Sequence, residues 1–108
     1  MKNSLLENLL IFYEEDPNDP FNIYALALEY QKTNVAKAEL YFNILLDEHP
    51  DYLATYYNAA AFFAALEKNE KAELVYQKGI DLALNVKNTK THQELLRAYR
   101  SFLDELED

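Results

Sequence analysis

The sequence contains few side chains that could act in catalysis or bind a metal ion. Its two histidines, His49 and His92, have no second histidine or carboxylate four residues further on, the spacing that places two ligands on one helix face. His49 precedes Pro50, so we expect it at the end of a helix. For His92 we expect a structural role.

Other residues of catalytic or ligand-binding type also lack a suitable pattern. Ser4 and Ser101 have no histidine at an interpretable spacing, and the absence of cysteine excludes disulfides and thiolate metal ligands. The single glycine, Gly79, cannot form a phosphate-binding loop. Acidic clusters at Glu14–Asp16 and Asp104–Asp108 lack the Asp-x-Asp-x-Asp-Gly pattern of a calcium loop. We therefore predict no enzyme, no catalytic residue, no cofactor and no metal site.

The two arginines of the sequence, Arg97 and Arg100, are three residues apart and would share one face of a helix. A guanidinium binds a carboxylate through two parallel hydrogen bonds, which makes the pair a candidate anchor for an acidic or C-terminal group. An alternative stays open. Arg97 could pair with Glu94 and Arg100 with Asp104, at spacings that stabilise a helix by about 0.2–0.5 kcal/mol per pair.

Composition indicates one helical domain with a strong negative charge. Of the 108 residues, 50% are apolar, only one is Gly and three are Pro, while Ala, Leu, Glu and Lys are abundant helix formers. The formal net charge of −9 repels the phosphates of nucleic acids and anionic lipids. We therefore expect neither nucleic acid nor a membrane as a partner.

The N-terminal apolar stretch is interrupted by Glu7, which is typical of an amphipathic helix and not of a signal peptide. The longest uncharged run, 52–66, is shorter than the roughly 20 residues of a membrane span. We therefore expect a cytoplasmic protein.

The sequence repeats itself. The letters KAEL begin at Lys37 and again at Lys71, 34 residues later. Upstream of them, Ile23 aligns with Tyr56 and Tyr30 with Phe63, at a spacing of 33. One residue fewer in the turn of the first copy explains the difference. A period of this length indicates a solenoid of helix pairs.

Each half of the first copy has the period of a helix. Apolar residues recur at i, i+3, i+4 and i+7 in both halves, first as Ile23, Leu26, Ala27 and Tyr30, then as Ala38, Tyr41, Phe42 and Leu45. Asp19-Pro20 is a typical helix start, and His49-Pro50 is a typical helix end. The pattern predicts two antiparallel helices joined by a turn at 32–34.

Residues 20–84 resemble the tetratricopeptide repeat, a pair of antiparallel helices with a small residue in the middle of the first helix and a Pro at the end of the unit. The first copy matches this pattern at Ile23, Leu26, Ala27, Tyr30, Ala38, Phe42 and Pro50. The second copy matches it at Tyr56, Ala59, Ala60, Phe63, Ala72, Tyr76 and Gly79. The sequence departs from the pattern where Leu45 replaces a small residue, where Leu84 replaces Pro, and in both turns, which lack the usual Gly.

The resemblance implies an all-α solenoid of antiparallel helix pairs, a tetratricopeptide-repeat superhelix. Two units leave apolar faces open, and helical patterns on both sides of them would cover these faces. We predict a single domain over residues 1–108 with six helices. It comprises an N-terminal half-repeat helix (3–16), the first repeat (20–50), the second repeat (51–85) and a C-terminal capping helix (89–106).

In this family the first helix of each unit lines a concave groove that binds peptides. On this sequence the resemblance implies the groove residues Tyr24, Leu28, Gln31, Tyr57, Asn58, Ala61, Gln93, Arg97 and Arg100. Chaperone-binding members hold a peptide carboxylate with Lys and Asn, and only Asn58 lies at a matching place. For Tyr24 and Tyr57, ligand anchoring and simple packing stay open as alternatives.

The first functional hypothesis is a non-enzymatic scaffold that binds a peptide or helix of a partner protein in the concave groove. The alternative is a structural module that associates with itself as a homodimer, because the run 52–66 carries so little charge.

Overall fold

The computed structural model describes residues 4–107, which form six α-helices and no β-strand. The helices are α1 (Leu5–Glu15), α2 (Pro20–Tyr30), α3 (Val35–Glu48), α4 (Thr55–Ala65), α5 (Asn69–Asn85) and α6 (Thr89–Glu107). The all-α prediction is confirmed. The predicted start of the first helix, Asn3, lies outside the described residues.

Contacts between residues divide the chain into two compact units. The first unit ends at Tyr52 and contains α1, α2 and α3, and the second begins at Leu53 and contains α4, α5 and α6. Each unit is described by itself below. The division into one domain with two repeats and two flanking helices stays a prediction.

Four of these helices begin at a side chain that accepts a hydrogen bond from a free backbone N–H of the first turn. Ser4 and Glu7 form a reciprocal capping box at α1. The other three caps are Asp19 at α2, Asn34 at α3 and Asn88 at α6. By contrast, α4 and α5 begin at Ala54 and Lys68 without a side-chain cap. The polar residues before α1, α2, α3 and α6 thus define where these helices start.

Both α4 and α5 end in a Schellman motif built on a residue other than glycine. Glu67 and Lys87 each have φ of 60°, the left-handed conformation that glycine adopts without strain. At the end of α4, the N–H of Lys68 donates to the carbonyl of Phe63 and the N–H of Glu67 donates to the carbonyl of Ala64. The corresponding pair of hydrogen bonds closes α5. The chain therefore reverses direction twice through a strained residue.

In the first unit, the buried side chains are those that the helical period predicts. From α2 and α3 they are Ile23, Leu26, Ala27, Tyr30, Ala38, Tyr41, Phe42 and Leu45. The rings of Tyr30 and Tyr41 stack with centroids 5.7 Å apart, and Tyr13 of α1 meets Tyr41 edge-on at 5.7 Å. Burial, with a smaller contribution from the Tyr13 hydroxyl, raises the pKa of Tyr41.

Helix α1 is joined to α2 by the side chain of Asn22. Its amide nitrogen donates hydrogen bonds to the carbonyls of Phe12 and Asp16, both at 3.2 Å. Phe12 lies in the last turn of α1 and Asp16 directly follows this helix, and the two carbonyls also accept hydrogen bonds from the backbone N–H groups of Asp16 and Asp19. The amide therefore adds a donor from the first turn of α2 to the end of α1.

The core of the second unit is formed by all three of its helices. The buried residues are Thr55, Tyr56, Ala59, Ala60, Phe62, Phe63, Ala72, Val75, Tyr76, Gly79, Ala83, Leu95 and Phe102. At Gly79, α5 approaches α4 so closely that an added Cβ would lie 2.5 Å from the Cβ of Tyr56. The small residue that the repeat pattern predicts at this position is therefore required by the packing.

Aromatic rings and a hydroxyl hold α6 against α5. The ring of Tyr76 lies 5.8 Å from that of Tyr99 and 5.5 Å from that of Phe102. The hydroxyl of Tyr99 accepts a hydrogen bond from the Gln77 amide at 3.1 Å and donates one to a Glu73 carboxylate oxygen at 3.2 Å. Apolar and polar contacts from a single side chain thus fix α6 on α5.

Candidate functional site

The nine predicted groove residues lie in both units. Tyr24, Leu28 and Gln31 lie on or directly after α2 in the first unit. The other six lie in the second unit, with Tyr57, Asn58 and Ala61 on α4 and Gln93, Arg97 and Arg100 on α6.

In the first unit, Tyr24 takes part in aromatic packing. Its ring meets that of Tyr52 at 5.9 Å with an interplanar angle of 65°. Burial, and to a smaller extent the nearby Tyr24 hydroxyl, raises the pKa of Tyr52. Leu28 and Gln31 are half-buried, as is Tyr24. The first-unit residues thus combine partial exposure with contacts inside their own unit.

In the second unit, the equivalent tyrosine is more open. The side chain of Tyr57 is 47% exposed, and it lines a depression of roughly 400 Å³ between α4 and α6. The α6 side of this depression is lined by Glu94, Arg97, Ala98 and Ser101. The structure therefore places the predicted residues Tyr57 and Arg97 in one depression.

A second depression, of roughly 500 Å³, runs along α6. Its lining comprises Gln93, Leu96, Arg97, Arg100 and Ser101. Because Arg97 and Ser101 line both depressions, the two adjoin. We call the residues that line them the tyrosine–arginine surface. Asn58, which is half-buried, and Ala61, which is exposed, lie on α4 but line neither depression.

The electrostatics of this surface are set by two arginines that lack an acidic partner within the described residues. Both side chains are exposed, and no carboxylate oxygen of residues 4–107 lies within 4.0 Å of either guanidinium. The ion pairs with Glu94 and Asp104 that the sequence left open are thus not formed. Glu94 lines the depression beside Tyr57 but not the one beside Arg100. The tyrosine–arginine surface therefore has an acidic end at Glu94 and a basic end at Arg100.

The lining residues that were not predicted from the sequence are Glu94, Leu96, Ala98 and Ser101. A signal for Ser101 was present, since it follows Arg97 by four residues and so lies on the same helix face. Leu96 and Ala98 flank Arg97 and are only half-buried. Their partial exposure depends on how α6 packs on α4 and α5, which helical spacing alone does not predict.

The described part of the chain, residues 4–107, contains neither a cluster of metal ligands nor a helix suited to span a membrane. In it, His, Asp and Glu side chains form no group of three or more that could surround a metal ion. His92 is half-buried beside Lys87 at the turn before α6, and His49 is half-buried at the end of α3. No helix in this range has both the length and the apolar character that crossing a membrane requires.

No protein-family model and no curated protein matches this sequence. Solved structures do match. The solution NMR structure of a tetratricopeptide repeat domain protein from Salinibacter ruber is 35% identical to this chain, with a TM-score of 0.75, over 81% of this chain and 89% of that one. A crystal structure of a tetratricopeptide repeat domain protein from the same organism is 33% identical, with a TM-score of 0.74, over 80% of this chain and 97% of that one.

Proposed function

Because this chain belongs to the tetratricopeptide repeat family, we propose that it is a non-enzymatic scaffold that binds a peptide or helix of a partner protein in its concave groove. Proteins of this fold are helical repeat modules for protein interaction. The groove and its residues in this chain are the part that we propose.

One observation carries the proposal, namely the exposed ring of Tyr57 beside an arginine that has no acidic partner among the described residues. A tyrosine offers apolar area and a hydroxyl while losing little conformational entropy on binding. Tyr and Arg are also the side chains that most often dominate the energy of a protein interface. Tyr57 and Arg97 together therefore provide the two kinds of contact that a bound segment needs.

In the first unit, the proposed binding residues are Tyr24, Leu28 and Gln31. They lie at i, i+4 and i+7, so they share one face of α2 and the residue after it. All three are half-buried and so keep surface for a ligand. Asn58, Ala61 and Gln93 complete the proposed set in the second unit.

The test compares two double variants in capture of a partner from lysate of the native cell. We expect Tyr57→Ala/Arg97→Ala to lose the partner, because it removes both the aromatic and the cationic contact. The control is Leu74→Ala/Lys78→Ala, which removes an apolar side chain that is 49% exposed and one positive charge from α5, outside the surface. Circular dichroism should show equal helicity in both. Equal capture by the two variants would reject the groove.

The homodimer hypothesis has lost the observation that motivated it. The charge-poor run contains α4, and six of the eleven residues of this helix are buried in the core of the second unit. Packing within the unit thus accounts for the scarcity of charge. Light scattering at tens of micromolar decides the point, since a dimer would revive the hypothesis. The lack of affinity for nucleic acid and anionic membranes also belongs to the proposal and is supported by the charge of −9. The cytoplasmic location stays a prediction from the N-terminal sequence, in which Glu7 interrupts the apolar stretch.

A further inference from the structure

We propose that the segment bound at the tyrosine–arginine surface is acidic. An Asp or Glu side chain inside the partner segment binds Arg97 and Arg100, while a neighbouring apolar side chain packs on Tyr57. This inference rests on the proposed function and specifies the chemistry of its ligand.

Charge is the first reason. The chain has 19 acidic and 10 basic residues, so carboxylates outnumber cations by almost two to one. Arg97 and Arg100 nevertheless form no ion pair with any residue in the range 4–107, although Glu94 and Asp104 lie one helical turn away in sequence. Their guanidinium N–H groups are therefore available to a ligand that supplies a carboxylate.

The spacing of the arginines is the second reason. Three residues along a helix correspond to a rise of about 4.5 Å, and both side chains leave the same face. One carboxylate, which has two oxygens and about four acceptor positions, can therefore accept hydrogen bonds from both guanidiniums. A lysine pair would offer point charges instead of this planar donor geometry.

The position of Glu94 gives the ligand an orientation. Glu94 lines the depression beside Tyr57, where its carboxylate repels an acidic side chain, and it is absent from the depression beside Arg100. Arg97 lines both. The acid of the ligand therefore lies at the Arg97–Arg100 end, and the apolar residue next to it lies over the Tyr57 ring.

The shape of the surface favours an acidic side chain over a chain terminus. The depression beside Arg100 is lined from Gln93 to Ser101, which is about 12 Å along the axis of α6 at 1.5 Å per residue. Arg97 lies in the middle of this span, and Arg100 lies about 1.5 Å from its end at Ser101. A bound segment can thus continue past Arg97 toward Gln93 on one side and toward Tyr57 on the other, as an internal segment must.

The experiment selects ligands from a random 12-residue peptide library in which the C-terminus of each peptide is joined to its carrier, so that no terminal carboxylate is offered. Recovered peptides are synthesised with amidated C-termini, and binding is measured by fluorescence anisotropy. We expect enrichment of Asp or Glu next to an aromatic or aliphatic residue. Replacing that acid by its amide should weaken binding at least about tenfold, as should Arg97→Gln/Arg100→Gln, because hydrogen bonds to charged groups are roughly twice as strong as those between neutral groups.

Two controls make the result specific. Arg97→Lys/Arg100→Lys keeps the charge and should retain part of the affinity. Lys78→Gln/Lys90→Gln removes the same charge from other exposed positions and should change binding less than about twofold, since surface charges at a distance are screened by salt.

The outcomes separate this inference from the proposed function. Peptides that depend on Tyr57 but carry no acid, or that bind the Arg97→Gln/Arg100→Gln variant unchanged, would overturn the acidic ligand and leave the groove intact. Binding of an acid-free peptide that appears only when its C-terminus is free would also overturn it. Recovery of no peptide, or of peptides that bind equally to Tyr57→Ala, would overturn both.

Discussion

The two compact units follow one repeat pattern but distribute side-chain size differently at two equivalent positions. The first unit has Ile23 and Leu45, both fully buried, where the second has Tyr56 and Gly79. An aliphatic pair is thus replaced by a ring and a residue without a side chain. The lesson is that the repeat conserves the arrangement of the helices, while each unit fills its interior by its own combination of large and small residues.

Changing the size of the residues at these positions should have the largest effect on the free energy of unfolding. We expect Gly79→Ala to lower the free energy of unfolding of the second unit by about 3 kcal/mol, because overpacking costs this much when the neighbours cannot move. The clash is with the Cβ of Tyr56, which no rotamer change can displace. In the first unit, Leu45→Ala should cost about the same by leaving a cavity.

Urea denaturation measures the loss of stability in Gly79→Ala and in Leu45→Ala. The control is Lys78→Ala on the exposed face of α5, whose free energy of unfolding should stay within about 0.5 kcal/mol of that of the unchanged protein. A gain of stability in Gly79→Ala, which the higher helix propensity of Ala alone would produce, would contradict the close approach of α5 to α4.

The two units also differ in how the second helix of each repeat is capped. Asn34 caps α3, whereas the residue at the equivalent place before α5 is Lys68, which makes no side-chain cap. We expect Asn34→Ala to cost about 1 kcal/mol and Lys68→Asn to stabilise the second unit by up to about 1 kcal/mol. Thermal unfolding of the two variants checks this. If Lys68→Asn lowers the melting temperature, the other interactions of Lys68 outweigh a cap.

The turns between paired helices differ as well, and glycine should distinguish them. Glu67 lies in the turn between α4 and α5 and has a positive φ. We expect Glu67→Gly to raise the free energy of unfolding by about 1 kcal/mol, because glycine adopts this conformation without strain. Lys87→Gly should do the same.

The matched control is Thr33→Gly in the first turn, where no positive φ occurs among the described residues. That variant should be neutral or destabilising, since glycine there only increases the entropy of the unfolded chain. Equal effects in the two turns would mean that the left-handed conformation is not what distinguishes them.

A rise to alkaline pH should have a smaller effect on the free energy of unfolding than the substitutions above. Burial raises the pKa of Tyr41 and Tyr52 in the first unit and of Tyr76 in the second above the ordinary value of 10.0. Above about pH 10 the unfolded chain loses these protons more readily than the folded chain, so stability falls as pH rises. We expect Tyr41→Phe to reduce this fall, measured by urea denaturation from pH 8 to 11. An unchanged slope would contradict the shifted pKa.

Much of the fold follows from spacing in the sequence. The residues at i, i+3, i+4 and i+7 in α2 and α3 are the buried ones, because a helix facing a partner must bury one stripe. Asp19 and Pro20 likewise mark the start of α2. The helix ends at Glu67 and Lys87 were less predictable, since left-handed residues are recognised in a sequence mainly when they are glycine.

The candidate site was predictable only in part. The repeat register places Tyr57 and Arg97 on first helices, but it does not say how deep each side chain lies. Tyr24 and Tyr57 hold the same place in the register, yet one packs against Tyr52 and the other is largely open. Whether an arginine finds a carboxylate depends on rotamers, which spacing does not determine.

The hydroxyl of Tyr99 has a consequence for the orientation of α6 about its own axis. Because it is bonded to both Gln77 and Glu73, turning or sliding α6 by a single residue would break two hydrogen bonds at once. Residues two apart on a helix point about 200° from each other at 3.6 residues per turn, so Tyr99 faces α5 while Arg97 faces outward. The hydrogen bonds of Tyr99 thus fix the rotation of α6 about its axis and keep Arg97 on the side that faces solvent.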